Sequence, residues 1–488
     1  MKKKNLTIAM TAAMTAAVLL AGCATSRPPE QVKLDLPDHY REKTAPADAA
    51  QQGRWQLAQP ADAADRGAWW TVFDDPELTA LIRQAAQSNP DLAVALAHVK
   101  AARAIAGVVD ADRGFQLNAG FGPTRTGDAH NISTLWQAPL SFQYEVDLFG
   151  RLSDASRAAQ LDAQAQEAAY RSVLLALQAD VAQQYFAIRA LDAEIGVLEK
   201  TVALRKDEVD LARQRLDAGD VSELDLAQAR TEWATTGAEL EGVRRGRAQR
   251  DHALAVLLGK APAQFSLPVA PLHAAIVTVP AGLPSDLLER RPDIAQAARE
   301  LAAGSARIGA AKAAFFPSLV LTGYAGYASD ELRDLFKWSS RSWMFGPVTG
   351  TIFNLPILDG GRNRANLARA NAEYEGLVAS YRKQVLVGFQ DVEDNLSALR
   401  TLDRQIAFEK EATASARLAA QLADARYRYG SASYYEVIDA QRADLAAQRA
   451  LIESEGLRAV ASVGLIRALG GGWASQPQTT AAPAGGRS

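Results

Sequence analysis

Residues 132–148 alternate between apolar and polar side chains. The even positions are Ile132, Thr134, Trp136, Ala138, Leu140, Phe142, Tyr144, Val146 and Leu148, while the odd ones include Ser133, Gln137, Ser141, Gln143, Glu145 and Asp147. A period of two places one face of a strand in apolar surroundings and the other in water. Strands of soluble sandwiches usually stop after about five or six residues, so a run this long predicts a stave of a membrane barrel. Phe115, Leu117, Ala119 and Phe121, set against Gln116 and Asn118, predict a shorter partner, giving a strand pair at about 115–148. A second pair is predicted at about 317–356, from 317–327 and 342–356, its alternation blurred by Gly and Pro. Trp338 and Trp343 near one end are candidate interfacial anchors.

After each strand pair the spacing changes. Leu174, Leu177, Val181, Ile188, Leu191, Ile195, Leu198, Val202, Val209, Ala212 and Leu216 follow one alternating three-and-four spacing, interrupted by the polar Gln184 and Arg205. The second stretch shows it early, at Val385, Phe389, Val392, Leu396 and Leu399. The intervals from Gly150 to Gly219 and from Gly361 to Gly430 are equal in length, free of proline and rich in strong helix formers. Each predicts a helix roughly 100 Å long, with a stripe suited to left-handed supercoiling. Second helices at about 221–258 and 432–469 complete two hairpins.

The two halves are copies of one unit. Asp147-Leu148-Phe149-Gly150-Arg151 matches Leu358-Asp359-Gly360-Gly361-Arg362, the Gly219 tip matches the Gly430 tip, and Leu258-Gly259 matches Leu469-Gly470, all at the offset that carries Gly150 onto Gly361. The organisation predicted is a signal peptide at 1–22, an extended segment at 23–74, a first repeat at 75–283 with its hairpin at about 151–258, a second at 284–473 with its hairpin at about 362–469, and a disordered tail at 474–488. The fold class expected is an α+β membrane protein, a tandem-duplicated unit of two β-strands and a long α-helical hairpin. Four strands cannot close a barrel, and an open edge in lipid leaves backbone groups unpaired. The chain is therefore expected to share its barrel with copies of itself, in a number that periodicity does not set.

Lys2, Lys3 and Lys4 precede an apolar stretch from Leu6 to Leu20, closed by Leu20-Ala21-Gly22-Cys23. This is a signal peptide, and its end resembles the bacterial lipobox, which makes Cys23 the expected lipidation site. Removing residues 1–22 takes three lysines and no acids, carrying the formal charge from −3 to −6. Ala24 follows the cysteine, without the aspartate of inner-membrane retention, and the lipid points to the outer membrane. A single Cys excludes a disulfide framework. The charge gives no basic face for nucleic acid, and no run beyond the leader approaches the roughly 18–20 apolar residues of a spanning helix. No Walker loop occurs, and the five histidines show no metal-ligand spacing. No enzyme, cofactor or metal is expected, apart from the covalent lipid on Cys23. Glu436 and Asp439 lie six and nine residues after Gly430, on one helix face. On spacing alone they read first as a solvated face, and otherwise, in an oligomer, as acidic rings that hold cations. Gly219 and Gly430 read as helix C-caps.

Several segments resemble the outer-membrane factors of tripartite efflux pumps, the TolC and OprM family, in its NodT-type lipoprotein branch. They are Trp69-Trp70 with Phe73-Asp74-Asp75-Pro76-Glu77-Leu78, Asn89-Pro90-Asp91-Leu92, the run from Gly282 through Arg290-Arg291-Pro292-Asp293-Ile294, Ala306-Arg307-Ile308-Gly309, Phe316-Pro317-Ser318-Leu319, Leu355 through Arg362, and Val392-Glu393-Asp394. Gly114-Phe115-Gln116 departs from the Phe-Pro pair seen at 316–317. The resemblance implies a homotrimer with a twelve-stranded outer-membrane β-barrel and a periplasmic α-helical barrel. It implies a passive exit duct for drugs or other small toxic compounds, fed by a periplasmic adaptor (a membrane fusion protein) and an inner-membrane transporter of the resistance–nodulation–division (RND) class. By the same resemblance Glu436 and Asp439 match an acidic periplasmic gate and Tyr427 a tyrosine that keeps the tip closed. Ala432 stands where relatives carry a latch arginine. Gly219, Val221, Ser222, Gly430, Ala432 and Ser433 match the tips that receive the adaptor. A type I secretion duct would share this fold, and a periplasmic adaptor would share the hairpins but carry a lipoyl-like β-domain in place of amphipathic strands.

Overall fold

The computed structural model describes residues 67–128, 131–272, 290–346 and 353–471. Cys23 and the leader, residues 23–66, Gly282 to Glu289 and the tail at 474–488 lie outside the described residues. The elements are α1 (Pro76–Ser88), α2 (Pro90–Ala111), β1 (Gln116–Ala119), β2 (Gly122–Gly127), β3 (Ile132–Val146), α3 (Arg151–Asp217), α4 (Glu223–Leu257), α5 (Pro292–Ala313), β4 (Ser318–Ser329), β5 (Arg341–Phe345), β6 (Phe353–Asn354), α6 (Arg362–Arg428) and α7 (Tyr434–Ala468). The bounds of α6 and α7 repeat those of α3 and α4 at every end, at the offset of the duplication. Packing divides the chain into two compact units that do not follow the two copies, and the long helices contribute to both.

The unit built from 96–169 and 295–384 holds the sheet. β3 pairs antiparallel with β4 from Trp136 opposite Ser329 to Val146 opposite Leu319. The strand expected before β3 is interrupted: β1 and β2 pair with successive parts of β3, with Gly120 and Phe121 between them. The strand expected after β4 is likewise divided into β5 and β6, both on β4, with 347–352 outside the described residues. Directly opposed residues share a face, so the register extends the alternation of β3 across the sheet. Phe142 faces Gly323 and Leu140 faces Ala325, whose other neighbours are Phe345 and Trp343. That face carries Trp136, Leu140, Phe142, Tyr144, Trp343 and Phe345, and the opposite face carries Gln116, Asn118, Gln137, Ser141, Gln143, Glu145 and Thr322. A Cβ on Gly323 would lie 2.5 Å from the Phe142 ring, so the glycine is where that ring rests. Trp343 is 78% exposed and lies on the apolar face, whereas Trp338 sits in the turn before β5 under the Arg341 guanidinium. Among the described residues β1, β2, β5 and β6 are edges.

The expectation that no run beyond the leader could span a membrane is corrected by α2, which is apolar enough by length and average hydropathy. Lys100 and Arg103 lie near its middle, and Arg103 is ion-paired with Glu167 at 2.6 Å. Charges there are costly in hydrocarbon, which argues for a helix lying outside lipid.

The second unit combines residues up to 95 with 170–294 and 385–471. Its core joins Trp69, Trp70, Phe73, Leu78 and Ile82 to Val181, Phe186, Ile188, Leu254 and Val463. Every stripe position from Leu174 to Leu216 is buried or half-buried, as the spacing requires. The duplicated return helices end alike. Asn89 donates from Nδ2 to the Leu257 carbonyl at 3.0 Å, and Arg291 donates to the carbonyl of Ala468, the counterpart of Leu257 in the second copy, at 3.0 Å. Orphan carbonyls at both ends are thus satisfied by the residue before a Pro-Asp pair. Gly259 and Gly470 follow with φ of 67° and 85°, and a Cβ there would lie 2.2 Å from the Ser88 carbonyl oxygen and 2.9 Å from that of Arg290. Arg189, 1% exposed, is held by Glu77 at 2.6 Å and Asp192 at 3.1 Å, and its guanidinium lies over the Tyr185 ring. Tyr185 donates to Asp75 at 2.5 Å, and burial followed by that bond pushes its phenol up to about 12.

Candidate functional site: the hairpin tips

Each hairpin reverses through the same pair of devices. Arg215 and Leu216 accept from Asp220 and Gly219 at 2.8 and 2.9 Å, and Arg426 and Tyr427 accept from Ser431 and Gly430 at 2.9 and 3.0 Å. These are Schellman caps, and they require the left-handed backbone seen at Gly219 and Gly430, with φ of 80° and 72°. A Cβ on either glycine would meet nothing within 4 Å, so each tip is open above its glycine. Ser222 and Ser433 then start the return helices with capping boxes, exchanging bonds with Asp225 and Glu436. Val221 and Ala432 sit half-buried between the two caps.

Tyr427, Glu436 and Asp439, expected from the resemblance to form a gate, lie together at one end of the second hairpin and differ in their engagement. Tyr427 is half-buried, its ring 5.4 Å from that of Tyr434, with the Arg215 guanidinium 5.1 Å above it. Glu436 is exposed, but its carboxylate accepts from the Ser433 amide at 3.3 Å and lies 3.4 Å from Arg426. Asp439, also exposed, stands one turn further along α7.

Beneath the tips lies a set of polar contacts that the pattern of apolar positions does not announce. Arg205, read as an interruption of the stripe, is 4% exposed and ion-paired with the buried Glu232 of α4 at 3.1 Å. Arg442 of α7 donates from Nε to the same carboxylate at 3.2 Å. Arg449 joins Glu194 at 2.8 Å and Glu239 at 3.1 Å. Glu208 of α3 accepts from Gln441 at 2.5 Å and from the Tyr434 hydroxyl at 3.4 Å. Burial pushes the Glu208 carboxyl up, and burial together with the Glu208 charge pushes the Tyr434 phenol up as well. The one sequence signal for these contacts is negative: the second-copy counterparts of Arg205, Glu208 and Glu232 are all alanines, Ala416, Ala419 and Ala443.

The family model of the outer membrane efflux proteins matches residues 81–260 and 283–471, one segment for each copy. The solvent efflux pump outer membrane protein SrpC of Pseudomonas putida is 35% identical over 474 residues, 94% of this chain and 97% of that protein. The probable outer membrane lipoprotein SilC of Salmonella typhimurium is 33% identical over 466 residues, 93% of this chain and 97% of that one. Among solved structures, the open state of the Neisseria gonorrhoeae MtrE outer membrane channel superposes with a TM-score of 0.81 at 30% identity, covering 92% of this chain and 98% of that chain. With sequence, fold and both copies matched over nearly their full length, the chain is an outer-membrane efflux channel and belongs to the family of outer membrane efflux proteins.

Proposed function

We propose that the channel works as a homotrimer, the exit duct of a tripartite pump whose inner-membrane member is an RND transporter. The observation that carries a barrel shared between copies is the open sheet. Its apolar face continues from β3 through β4 to β5, yet β1, β2, β5 and β6 remain edges among the described residues. Backbone groups at such edges must be paired in lipid, and three copies of four strand paths supply twelve. The polar face, with its Gln, Ser and Asn side chains, then lines the lumen. The striped hairpins of three chains together enclose the tunnel.

The chain conducts and does no bond chemistry of its own in this reading. Cys23 carries the lipid, a role supported by the Leu-Ala-Gly-Cys sequence and by the lipoprotein relative SilC. The open surfaces over Gly219 and Gly430, flanked by Val221, Ser222, Ala432 and Ser433, receive a periplasmic adaptor. Small molecules are the expected cargo, in line with the solvent efflux relative SrpC. The reading is tested by deleting the gene in its host. Increased susceptibility to solvents or antibiotics, restored by the intact chain, is the expected result. Unchanged susceptibility with loss of an exported polypeptide would assign the duct to type I secretion.

A further inference from the structure

Between α3, α6 and α7, beneath the tips, lies a cavity of about 440 Å³. Four carboxyl groups line it, Asp207 and Glu208 from α3, Asp424 from α6 and Asp444 from α7. Its cations, Arg417 and Arg428, both come from α6, and Arg428 is paired with Asp424 at 2.9 Å. Arg205, nearly one turn before Glu208, is committed to Glu232 of α4. Tyr427, Tyr434, Gln421 and Gln441 complete the polar lining. Glu208 differs from the other acids in bridging two helices, since both of its bonds run from α3 to the first turns of α7. Asp444 Oδ1 is sealed from solvent and has no hydrogen-bond partner among the described residues.

We propose that Glu208 is a proton-operated tie: its neutral carboxyl holds α7 against α3 in the packing described here, and its ionisation releases α7. The neutral group keeps acceptor oxygens for both Gln441 and the Tyr434 hydroxyl without bringing a charge into the cavity. The ionised group adds a charge to a half-buried space that already holds Asp207, Asp424 and Asp444. Burial, followed by the Asp424 charge, raises the affinity of Glu208 for its proton, while the Gln441 and Tyr434 bonds and Arg205 oppose the shift and do not cancel it. A carboxyl whose affinity is raised in the packed state stabilises that state at low pH, and the contribution is lost as pH rises through the packed-state value. Acidification therefore tightens the tie and alkalinisation loosens it. The duplication does not impose it: Ala419 replaces Glu208 in the second copy, and Glu223 and Arg230 replace Tyr434 and Gln441 in the first. Because α7 carries Glu436 and Asp439, the tie also sets the position of those acids.

The test is a distance measurement within one chain, independent of conductance and of the exit-duct reading. Spin labels on Lys206→Cys and Ala443→Cys, both exposed positions, in a Cys23→Ala background, report the α3–α7 separation in detergent. As pH rises from the ordinary carboxyl range, about 4, into the alkaline range, one short-distance population should give way to a longer or broader one. Glu208→Gln should hold the low-pH distribution throughout. Asp424→Asn, which removes a like charge, should move the midpoint to lower pH. A distribution that does not change with pH overturns the proposal, as does a Glu208→Gln variant that shifts like the parent or an Asp424→Asn midpoint that does not fall.

Discussion

Glu436 and Asp439 look alike in the sequence, as two acids on one face of a helix, and the structure separates them. Glu436 is occupied by its capping box and by Arg426, whereas Asp439 projects from the face without a cap to serve. In a trimeric ring the two should therefore act differently. Asp439→Asn is expected to lower cation over anion selectivity in planar bilayers and to weaken block by multivalent cations. Glu436→Gln should change selectivity less and, because glutamine also serves a capping box, should leave the first turn of α7 nearly as stable, whereas Glu436→Ala should loosen it by about 1 kcal/mol, read as faster amide exchange there. Equal losses of selectivity from Asp439→Asn and Glu436→Gln would count against this division. The same scale shows where the sequence is hard to read. Arg205 registers only as a break in an apolar stripe, because a buried charge is recognised by its partner, and Glu232 lies on the next helix. Glu208 belongs to the first copy and its partners Gln441 and Tyr434 to the second, so no local pattern joins them.

At the scale of elements the reading succeeds where periodicity and punctuation agree. The long helices end at Gly219 and Gly430 because a left-handed residue is needed there, and both glycines are visible as repeats at one offset. The strands are less legible. The alternation from Phe115 to Phe121 marks β1 and stops short of β2, and Gly120 breaks the run without changing which strand the two pair with. β5 and β6 are blurred by Gly and Pro, residues that carry no face. The four helix-ending glycines offer a comparison. All adopt positive φ, so an alanine costs roughly 1–2 kcal/mol at each. Gly259 also stands against the Ser88 carbonyl at a distance no Cβ tolerates, whereas the space over Gly430 is open. Gly259→Ala should therefore lower thermal stability clearly more than Gly430→Ala, whose effect should appear in pump assembly. Equal unfolding temperatures for the two variants would show that the Ser88 contact yields.

For the whole molecule, the sequence states the need for partners more clearly than their number. Four strand paths with two open edges demand further copies, and the count of three follows from the family and not from any residue. The asymmetry between the copies was visible only as alanines, yet it concentrates the buried polar contacts on the first hairpin and on α7. A tunnel whose two kinds of hairpin are held unequally can move one kind while the other stays, which gives a passive duct something to gate. The central claim is that these chains close a barrel together and conduct through it. Single-channel current through the purified, size-fractionated protein in a planar bilayer tests it most directly. Discrete conductance steps from a particle whose mass is that of three chains are the predicted result, and a monomeric or dimeric particle that carries no current would contradict it.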